Sequence, residues 1–295
     1  MGSAKVLLFV ALGLLTVVFG VAWLRALRAH ANPGRGGRPG LWELGVGAIT
    51  NFFDTLGIGS FAPTTAAFKL RGAVPDERIP GTLNVGHTLP VITQAFIFIV
   101  VIDVAPGTLI SVIASAVAGA WLGAGIVAGM PRRRIQVGMG IALLLAALFF
   151  AMTNLNLFPG GGEALSLEGP RLYIGLAGGF LLGSLMTLGI GMYAPCMILV
   201  ALLGMNPRAA FPIMMGSCAF LMPVAGMRFL QRGSYDPCAA LGLAAGGVPA
   251  VLAAALIVKS LPLTALRWMV VAVVLYTSFT MLRSARREAF AGSRA

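Results

Sequence analysis

Long apolar segments constrain the fold of this chain more than any other feature. Seven of them are long enough to cross about 30 Å of hydrocarbon as α-helices, which takes roughly 20 residues each. They cover residues 6–24, 79–102, 106–130, 135–157, 211–230, 237–258 and 264–282. Because a bilayer offers no hydrogen-bond partners to an open backbone, such segments must be helical. We therefore expect a polytopic membrane protein of the all-α class.

Composition and charge agree with this expectation and exclude other classes. Of the 295 residues, 58% are hydrophobic and 10% are charged, and the formal net charge is +12. A nucleic-acid-binding protein gathers its basic residues on a polar surface, whereas here they lie between apolar runs, as in membrane proteins. The three cysteines, Cys196, Cys218 and Cys238, have no metal-ligand spacing. We expect no nucleic-acid partner, no metal and no cofactor.

The first apolar segment, 6–24, is either a cleaved secretory signal or a membrane span. It is longer than the apolar core of a typical signal peptide. One basic residue, Lys5, precedes it, and four follow it closely: Arg25, Arg28, Arg35 and Arg38. Lysine and arginine collect on the cytoplasmic side of membrane spans. We therefore interpret this segment as a span with the amino terminus outside.

An internal repeat divides the rest of the chain into two halves. Two further apolar segments, 41–68 and 172–203, are each interrupted by Gly-Ile-Gly and then a proline. The sequence TLGIGSFAP at Thr55–Pro63 recurs as TLGIGMYAP at Thr187–Pro195, with seven of nine positions identical. Three proline pairs keep the same offset of 132 residues, which shared composition does not explain. Each half is therefore one broken segment followed by three spans.

The distribution of basic residues indicates how the broken segments lie. If both crossed the membrane, lysine and arginine would divide almost evenly between its two sides. If both are re-entrant, 16 of the 21 basic residues fall on the cytoplasmic side, as is typical of membrane proteins. One hairpin plus three spans is an odd number of crossings, so the second half is inverted relative to the first. The predicted fold is an inverted repeat, each half one re-entrant broken-helix hairpin plus three transmembrane helices, with one extra N-terminal transmembrane helix.

These features predict five segments along the chain. Residues 1–40 form the N-terminal span and a basic cytoplasmic loop, and residues 285–295 form a basic cytoplasmic tail. Between them lie the first transport repeat at 41–158, an extracytoplasmic linker at 159–171 and the second, inverted transport repeat at 172–284.

Broken helices in inverted repeats are typical of secondary transporters, whose binding sites lie where the breaks face each other. Each helix that starts after a break offers free N–H groups and about half a positive charge, and neither hairpin contains lysine or arginine. Two converging helix starts would bind an anion. The predicted substrate-binding residues at the breaks are Thr55, Gly57, Ile58, Gly59, Thr187, Gly189 and Gly191. The alternative is that these glycines serve close helix packing.

Polar side chains concentrate in the first half. Asp54 is the only acid in the middle of an apolar segment, and burying its charge is costly. We expect it to bind the coupling H⁺ or Na⁺, and the alternative is that it caps the break. His87 is a second coupling candidate, which titrates or donates to the anion, unless it is a core histidine with satisfied hydrogen bonds. Asn51 and Asn84 join His87 as predicted substrate ligands.

The second half contributes methionine and aromatic side chains instead. Tyr193 and Ser217 are its predicted substrate ligands. Six methionines are close to them in sequence: Met186, Met192, Met197, Met214, Met215 and Met222. Methionine adapts to irregular apolar surfaces, so these side chains either hold the apolar body of an anionic substrate or only pack the core.

The paired Thr-Leu-Gly-Ile-Gly-x-x-Ala-Pro motifs and the stretch VPDERIPGTLNVGHT, from Val74 to Thr88, resemble the TauE/SafE family of permeases. The resemblance covers nearly the whole chain after the first span. That family is named for sulfite and sulfoacetate export and includes a 4-toluenesulfonate uptake permease. The resemblance implies transport of sulfite, a sulfonate or a related organosulfur anion across a bacterial inner membrane, without an ATP-binding module.

Together these observations predict a secondary active transporter for a sulfur-containing anion in the bacterial inner membrane, coupled to protons or another ion. We do not expect an enzyme, because the sequence has no paired carboxylates and no nucleophile aligned with a base. The alternatives are an intramembrane enzyme and a membrane scaffold without transport. The expected partners are the small anion, membrane lipid and a coupling H⁺ or Na⁺, with a homodimer as one option. The carboxyl terminus is expected in the cytoplasm.

Overall fold

The computed structural model describes residues 3–29, 38–101, 104–257 and 263–292. Arg35, one of the basic residues of the first predicted loop, lies outside them. The described chain forms twelve α-helices and two short 3₁₀ turns, and no β-strand occurs within it. The helices are α1 (Ser3–Ala29), α2 (Leu41–Thr55), α3 (Phe61–Arg71), α4 (Ile79–Gly86), α5 (Thr88–Val101), α6 (Pro106–Val127), α7 (Arg132–Asn154), α8 (Gly169–Met186), α9 (Tyr193–Leu202), α10 (Ala210–Arg232), α11 (Pro237–Ile257) and α12 (Leu263–Gly292).

Six helices of the described chain are long and apolar enough to cross a membrane, namely α1, α6, α7, α10, α11 and α12. Large apolar side chains on these helices are exposed, for example Leu7, Leu122 and Leu256. A soluble protein rarely leaves such an extensive apolar surface in water, whereas lipid accommodates it. The structure therefore has the architecture of an all-α polytopic membrane protein.

The segment predicted as one uninterrupted span at 79–102 is two helices, α4 and α5, that meet at His87. The turn at the junction stays hydrogen-bonded, since the His87 N–H donates to the Leu83 carbonyl at 3.0 Å. Pro90, however, has no N–H to offer to the carbonyl of Gly86, and proline in a helix interior interrupts the ladder in this way. The prediction of a continuous helix here was wrong, because it overlooked this proline.

Small residues allow the helices before the breaks to pack closely on two spans. Helix α2 runs parallel to α11, and α8 runs parallel to α6. Glycine contacts in the two pairs include Gly47 to Leu243, Asn51 to Gly247, Gly179 to Val112 and Gly183 to Ala116. A β-carbon at Gly47, Gly183 or Gly247 would collide with a neighbouring helix, and one at Gly179 would fit only tightly, 3.2 Å from Val112. Glycine is therefore needed here for close backbone approach, as in many membrane helix pairs.

Helix α10 packs antiparallel to α4 and α5. The end of α10 lies beside the start of α4, where Gly81 abuts the carbonyl of Ser234. Gly216, in the first third of α10, faces Ile99 near the end of α5. Helices α4 and α5 together thus lie along α10 in the opposite direction.

Helices α7 and α12 form a second antiparallel pair. The Ser278 hydroxyl donates to the Gly140 carbonyl at 2.6 Å. Four residues earlier on α7 and ten residues later on α12, the Gln136 amide donates to the Glu288 carboxylate at 3.2 Å. Residue numbers rise along α7 as they fall along α12, so the two helices run in opposite directions.

A buried ionic cluster joins one end of α3, α7 and α12. Asp76, only 4% exposed, accepts hydrogen bonds from Lys69 Nζ at 2.6 Å and Gln136 Nε2 at 2.8 Å. Arg132 lies 3.7 Å from Asp76 and 3.2 Å from Glu288. Removing one member of such a cluster leaves the other charges buried and uncompensated.

We expect Asp76→Ala to lower the free energy of unfolding by about 3 kcal/mol or more, because Lys69 would lose its buried partner. Glu77→Ala is the matched control: Glu77 is 42% exposed and lies 3.6 Å from Arg132, so its loss should cost less than about 1 kcal/mol. Chemical unfolding of both variants in detergent micelles measures the difference. Equal losses would contradict the role given to Asp76.

Candidate functional site

The first break follows a well-defined helix end. Helix α2 closes with the Gly57 N–H donating to the Asp54 carbonyl at 2.9 Å and the Ile58 N–H donating to the Phe53 carbonyl at 3.0 Å. This pair of bonds is the Schellman motif, which places a residue of positive φ just after the helix. Gly57 occupies that position with φ +83°. Glycine is therefore required by the backbone of the break.

The second break repeats these backbone bonds at the offset of the sequence repeat. The Gly189 N–H donates to the Met186 carbonyl at 3.0 Å, and the Ile190 N–H donates to the Leu185 carbonyl at 3.4 Å. Gly189 has φ +110°. The first part of the repeated motif thus ends one helix, and its Ala-Pro begins the next.

Both breaks lead into helix starts whose first N–H groups lack a backbone partner. The first bond of α3 runs from the Thr64 N–H to the Ser60 carbonyl, and that of α9 from the Cys196 N–H to the Met192 carbonyl, each at 3.0 Å. The N–H groups ahead of these bonds donate to no backbone carbonyl of the described chain. They belong to Phe61 and Ala62 in α3 and to Tyr193 and Ala194 in α9.

The two breaks meet around a cavity of about 40 Å³, which we call the tip cavity. All four residues with free N–H groups line it, together with Ile58, Gly59, Ile190 and Gly191 of the breaks. Phe149 and Phe150 of α7 close one side. Among the described residues, no charged side chain lines this cavity, so the backbone supplies the dipoles closest to it. An anion inside it would meet two positive helix ends.

A second cavity of about 40 Å³, here the acidic cavity, shares Gly59, Phe61, Gly191 and Tyr193 with the first. These four residues therefore separate the two spaces. The polar side chains of the acidic cavity are Asp54, Ser60 and Gln94. The rest of its lining is apolar or sulfur-containing: Val91, Met186, Met192, Met214, Met215 and Cys218. Four of the methionines singled out from the sequence thus reach this cavity.

Asp54 is held by hydrogen bonds alone. The Gln94 Nε2 donates to its carboxylate at 3.0 Å, and the N–H and hydroxyl of Ser60 donate to it as well. Gln94 also donates to the Thr55 hydroxyl at 3.2 Å. No lysine or arginine of the described residues forms an ion pair with Asp54. Because Ser60 directly precedes α3, the carboxylate lies beside the start of that helix.

His87 is completely buried and bonded through both ring nitrogens. Its Nδ1 lies 3.0 Å from the Asn51 Oδ1, and its Nε2 lies 3.0 Å from the Thr64 hydroxyl. The Asn51 amide nitrogen donates to the Gly47 carbonyl at 2.7 Å, so the Asn51 oxygen accepts from a protonated Nδ1 and the Thr64 hydroxyl donates to Nε2. In this tautomer, the hydrogen bonds of His87 connect α2 and α3 to the junction of α4 with α5.

Other predicted ligands lie around the second break. The Asn84 amide donates to the carbonyl of Thr187 at 3.3 Å, which connects α4 to the break. The Asn84 oxygen and the Ser217 hydroxyl are buried without a hydrogen-bond partner in the described chain. The hydroxyl of Tyr193 lies against Gly57, so the second break touches the first.

The structure therefore brings only some of the predicted site residues to the cavities. Those lining them are Asp54, Ile58, Gly59, Gly191 and Tyr193. The others lie outside both linings and support the breaks: Asn51, Thr55, Gly57, Asn84, His87, Thr187, Gly189 and Ser217. Glycines 57 and 189 shape the backbone, whereas glycines 59 and 191 face the cavities.

Several cavity residues were not among the predicted ligands. Gln94 is seven residues, about two helical turns, beyond His87, so its spacing could have indicated it. Phe149 and Phe150 belong to an ordinary apolar span, and no local signal distinguishes them. Arg267 of α12 is close enough to act electrostatically on Tyr193, although it lines neither cavity. Its position depends on tertiary packing that the sequence does not reveal.

We expect Gly57→Ala to destabilise the protein more than Gly59→Ala. Both glycines have φ +83°, where an L-residue costs about 1–2 kcal/mol. Only at Gly57 would the added β-carbon also meet the Tyr193 hydroxyl, at 2.8 Å. Adding Tyr193→Phe to Gly57→Ala should therefore recover part of the loss, measured by chemical unfolding. No recovery in the double variant would show that the two breaks do not touch.

Comparison with known proteins provides no relative for this chain. No protein-family model, no curated protein and no solved structure matches it. The interpretation of the two cavities therefore rests on the contacts described above.

Proposed function

We propose that this protein is a secondary active transporter that carries a small sulfur-containing anion through the tip cavity. The observation that carries the proposal is the meeting of two broken helices around one cavity, whose lining includes the residues at both helix starts with N–H groups that lack a backbone partner. Broken backbone persists inside a membrane only where protein, water or a ligand satisfies it. Backbone donors without a basic side chain are suited to an anion that must bind and then leave.

An inverted repeat, as proposed here, is supported by the reciprocal packing of the helices. Exchanging each helix for its counterpart 132 residues away converts the pair α2 and α11 into the pair α8 and α6. The same exchange maps α4 and α5 onto α10, and α7 onto α12. Both of these pairs run antiparallel, as expected if the halves are related by a twofold axis in the membrane plane.

Helix lengths support re-entrant hairpins. At 1.5 Å per residue, α2 and α8 with 15 and 18 residues reach about 22 and 27 Å, and α3 and α9 reach about 16 Å and 15 Å. Each arm is shorter than the roughly 30 Å hydrocarbon core. Each arm pair therefore suits a hairpin that turns near the midplane.

We assign the orientation by the distribution of basic residues. With both hairpins re-entrant, the amino terminus lies outside and the carboxyl terminus lies in the cytoplasm of a bacterial cell, in its inner membrane. The Asp76 cluster then lies at the cytoplasmic end of α7 and α12. The proposed cargo, sulfite or an organosulfonate, follows the resemblance of the motifs to the TauE/SafE permeases.

The size of the tip cavity favours the smaller cargo. A cavity needs about 10–15 Å³ of space for water-sized spheres to hold one water molecule, and the tip cavity has about 40 Å³, room for a few. An inorganic oxyanion such as sulfite needs little rearrangement to enter it. An aryl sulfonate such as 4-toluenesulfonate would require Phe149 and Phe150 to move, and these side chains would then border its ring.

Purified protein in proteoliposomes should take up labelled sulfite when a proton or sodium gradient is imposed. Protein-free liposomes are the control for leak. An absence of flux for sulfite and for every sulfonate tested, under either gradient and in either direction, would contradict transport and favour a scaffold.

The Gly191→Ala variant tests whether the anion passes the tip cavity. Gly191 has no positive φ and its β-carbon would meet nothing within 4 Å, so the fold should tolerate alanine. The added methyl group would occupy the cavity, and we expect uptake to fall roughly tenfold, in line with the usual cost of overpacking. Gly13→Ala in α1, where the β-carbon also meets nothing, should leave uptake unchanged. Equal uptake by the two variants would remove the tip cavity from the transport path.

Asp54→Asn should uncouple transport before it abolishes anion binding. The amide preserves the size of the side chain but removes the charge that a coupling ion would neutralise. We expect uptake by this variant to lose its response to an imposed gradient while exchange of anion for anion continues. Glu43→Gln, at the other end of α2, is the control. A gradient response equal to that of the wild type would exclude Asp54 from coupling.

A further inference from the structure

We propose that the acidic cavity binds a monovalent cation, Na⁺, through the Asp54 carboxylate, the Gln94 amide oxygen and the Ser60 hydroxyl. The site adjoins the tip cavity across Gly59, Phe61, Gly191 and Tyr193. The proposed cation site depends only on the contacts within the acidic cavity. Only its coupling to an anion rests on the proposed function.

The Gln94 amide oxygen is the first observation that points to a ligand. Gln94 is completely buried and lines the acidic cavity, yet its Oε1 has no hydrogen-bond partner in the described chain. Its Nε2 is fixed by donation to Asp54 and Thr55. Turning the amide over would place its oxygen against the carboxylate. The oxygen is therefore a buried acceptor without a partner in a residue that borders the cavity, and such an acceptor is costly.

The charge of Asp54 is the second observation. Within the described residues its carboxylate has hydrogen-bond donors but no cationic partner, and an uncompensated charge in a membrane interior is expensive. A single positive charge balances it. A proton on Asp54 would neutralise the carboxylate, but the Gln94 amide would then have to turn over and give up its donation to Asp54 and Thr55 for its oxygen to gain a partner. A metal cation satisfies both groups with the amide as it stands.

The ligand types indicate which cation fits. Carboxylate, amide and hydroxyl oxygens bind hard cations, whereas the thioethers and Cys218 on the opposite walls do not. Divalent ions such as Ca²⁺ take six to eight oxygen ligands, commonly from several carboxylates, and here only one carboxylate is present. The cavity of about 40 Å³ has room for an ion with a water or two. Na⁺ satisfies these conditions.

The position of Asp54 beside the start of α3 explains how a cation bound there would affect the binding of an anion. Asp54 accepts from the Ser60 N–H at the start of α3, so its negative charge weakens the positive end of the helix that lines the tip cavity. A cation beside Asp54 cancels this charge and restores the attraction for an anion. Binding free energies are reciprocal, so the anion in turn would tighten binding of the cation.

A thermal unfolding series on the detergent-purified protein, without any anion substrate, tests the site. Ionic strength is kept constant with NaCl, KCl or choline chloride. Ligand binding to the folded state raises the melting temperature, and we expect Na⁺ to raise it by about 2–4 °C relative to K⁺ and choline. The rise should disappear in Gln94→Met and in Asp54→Asn. Thr93→Val, on the same helix with its hydroxyl bonded at 2.9 Å to the Leu89 carbonyl, should retain it.

Three results would overturn the cation site. They are equal melting temperatures in Na⁺ and choline, an equal rise with K⁺, and a sodium response that persists in both Gln94→Met and Asp54→Asn. If Gln94→Met does not fold, Ser60→Ala replaces it, because it removes one ligand and keeps the cavity. Loss of anion flux in proteoliposomes with an intact sodium response would refute the proposed transport and leave the cation site standing.

Discussion

A helix interrupted within an apolar environment must find partners for its exposed peptide groups. In this protein the carbonyl side of each break is satisfied locally, by the Schellman bonds around Gly57 and Gly189. The N–H side is not: the first two N–H groups of each following helix have no backbone partner in the described chain, and Pro63 and Pro195, third in those helices, have no N–H. The residues that carry these donors line one cavity, and the rest of the site is arranged around it.

The symmetry of the backbone contrasts with the asymmetry of the side chains. At the repeat offset, Asp54 corresponds to Met186, Asn51 to Gly183, Thr64 to Cys196, His87 to Ala219 and Gln94 to Gly226. The first half thus carries a connected polar network, and the second half carries soft apolar side chains. Gly226 instead accommodates Phe19 of α1. The proposed anion site, made from the backbone, and the proposed cation site, made from side chains, would follow from this division.

Much of the fold could be predicted from the sequence, because it depends on local rules. The lengths of the apolar segments predicted membrane spans. The repeated motif predicted the positions of both breaks, because glycine and proline determine the backbone conformation where they stand. The division of 79–101 at His87 was missed because Pro90 lies in an otherwise ordinary apolar run. Local patterns also could not indicate that α7 supplies Phe149 and Phe150 to the tip cavity, because that position depends on how the helices pack.

The candidate site was predictable in part, namely where its residues belong to the repeated motif. Residues of the breaks, such as Gly59, Gly191 and Tyr193, line the cavities as their position in the motif suggests. The polar residues Asn51 and His87 were predicted as ligands from their chemistry, but they bond to each other, and His87 also bonds to Thr64. Some polar groups form hydrogen bonds with neighbours, whereas others, such as the Gln94 oxygen, have no partner in the described chain. Three-dimensional contacts decide which groups are which.

The most direct test of the central claim is to locate the anion. Selenite has the charge and shape of sulfite, and its selenium scatters X-rays anomalously. Crystals grown with selenite should give an anomalous peak in the tip cavity, within hydrogen-bonding distance of N–H groups at the starts of both α3 and α9. A peak only elsewhere, with the tip cavity empty, would contradict the account.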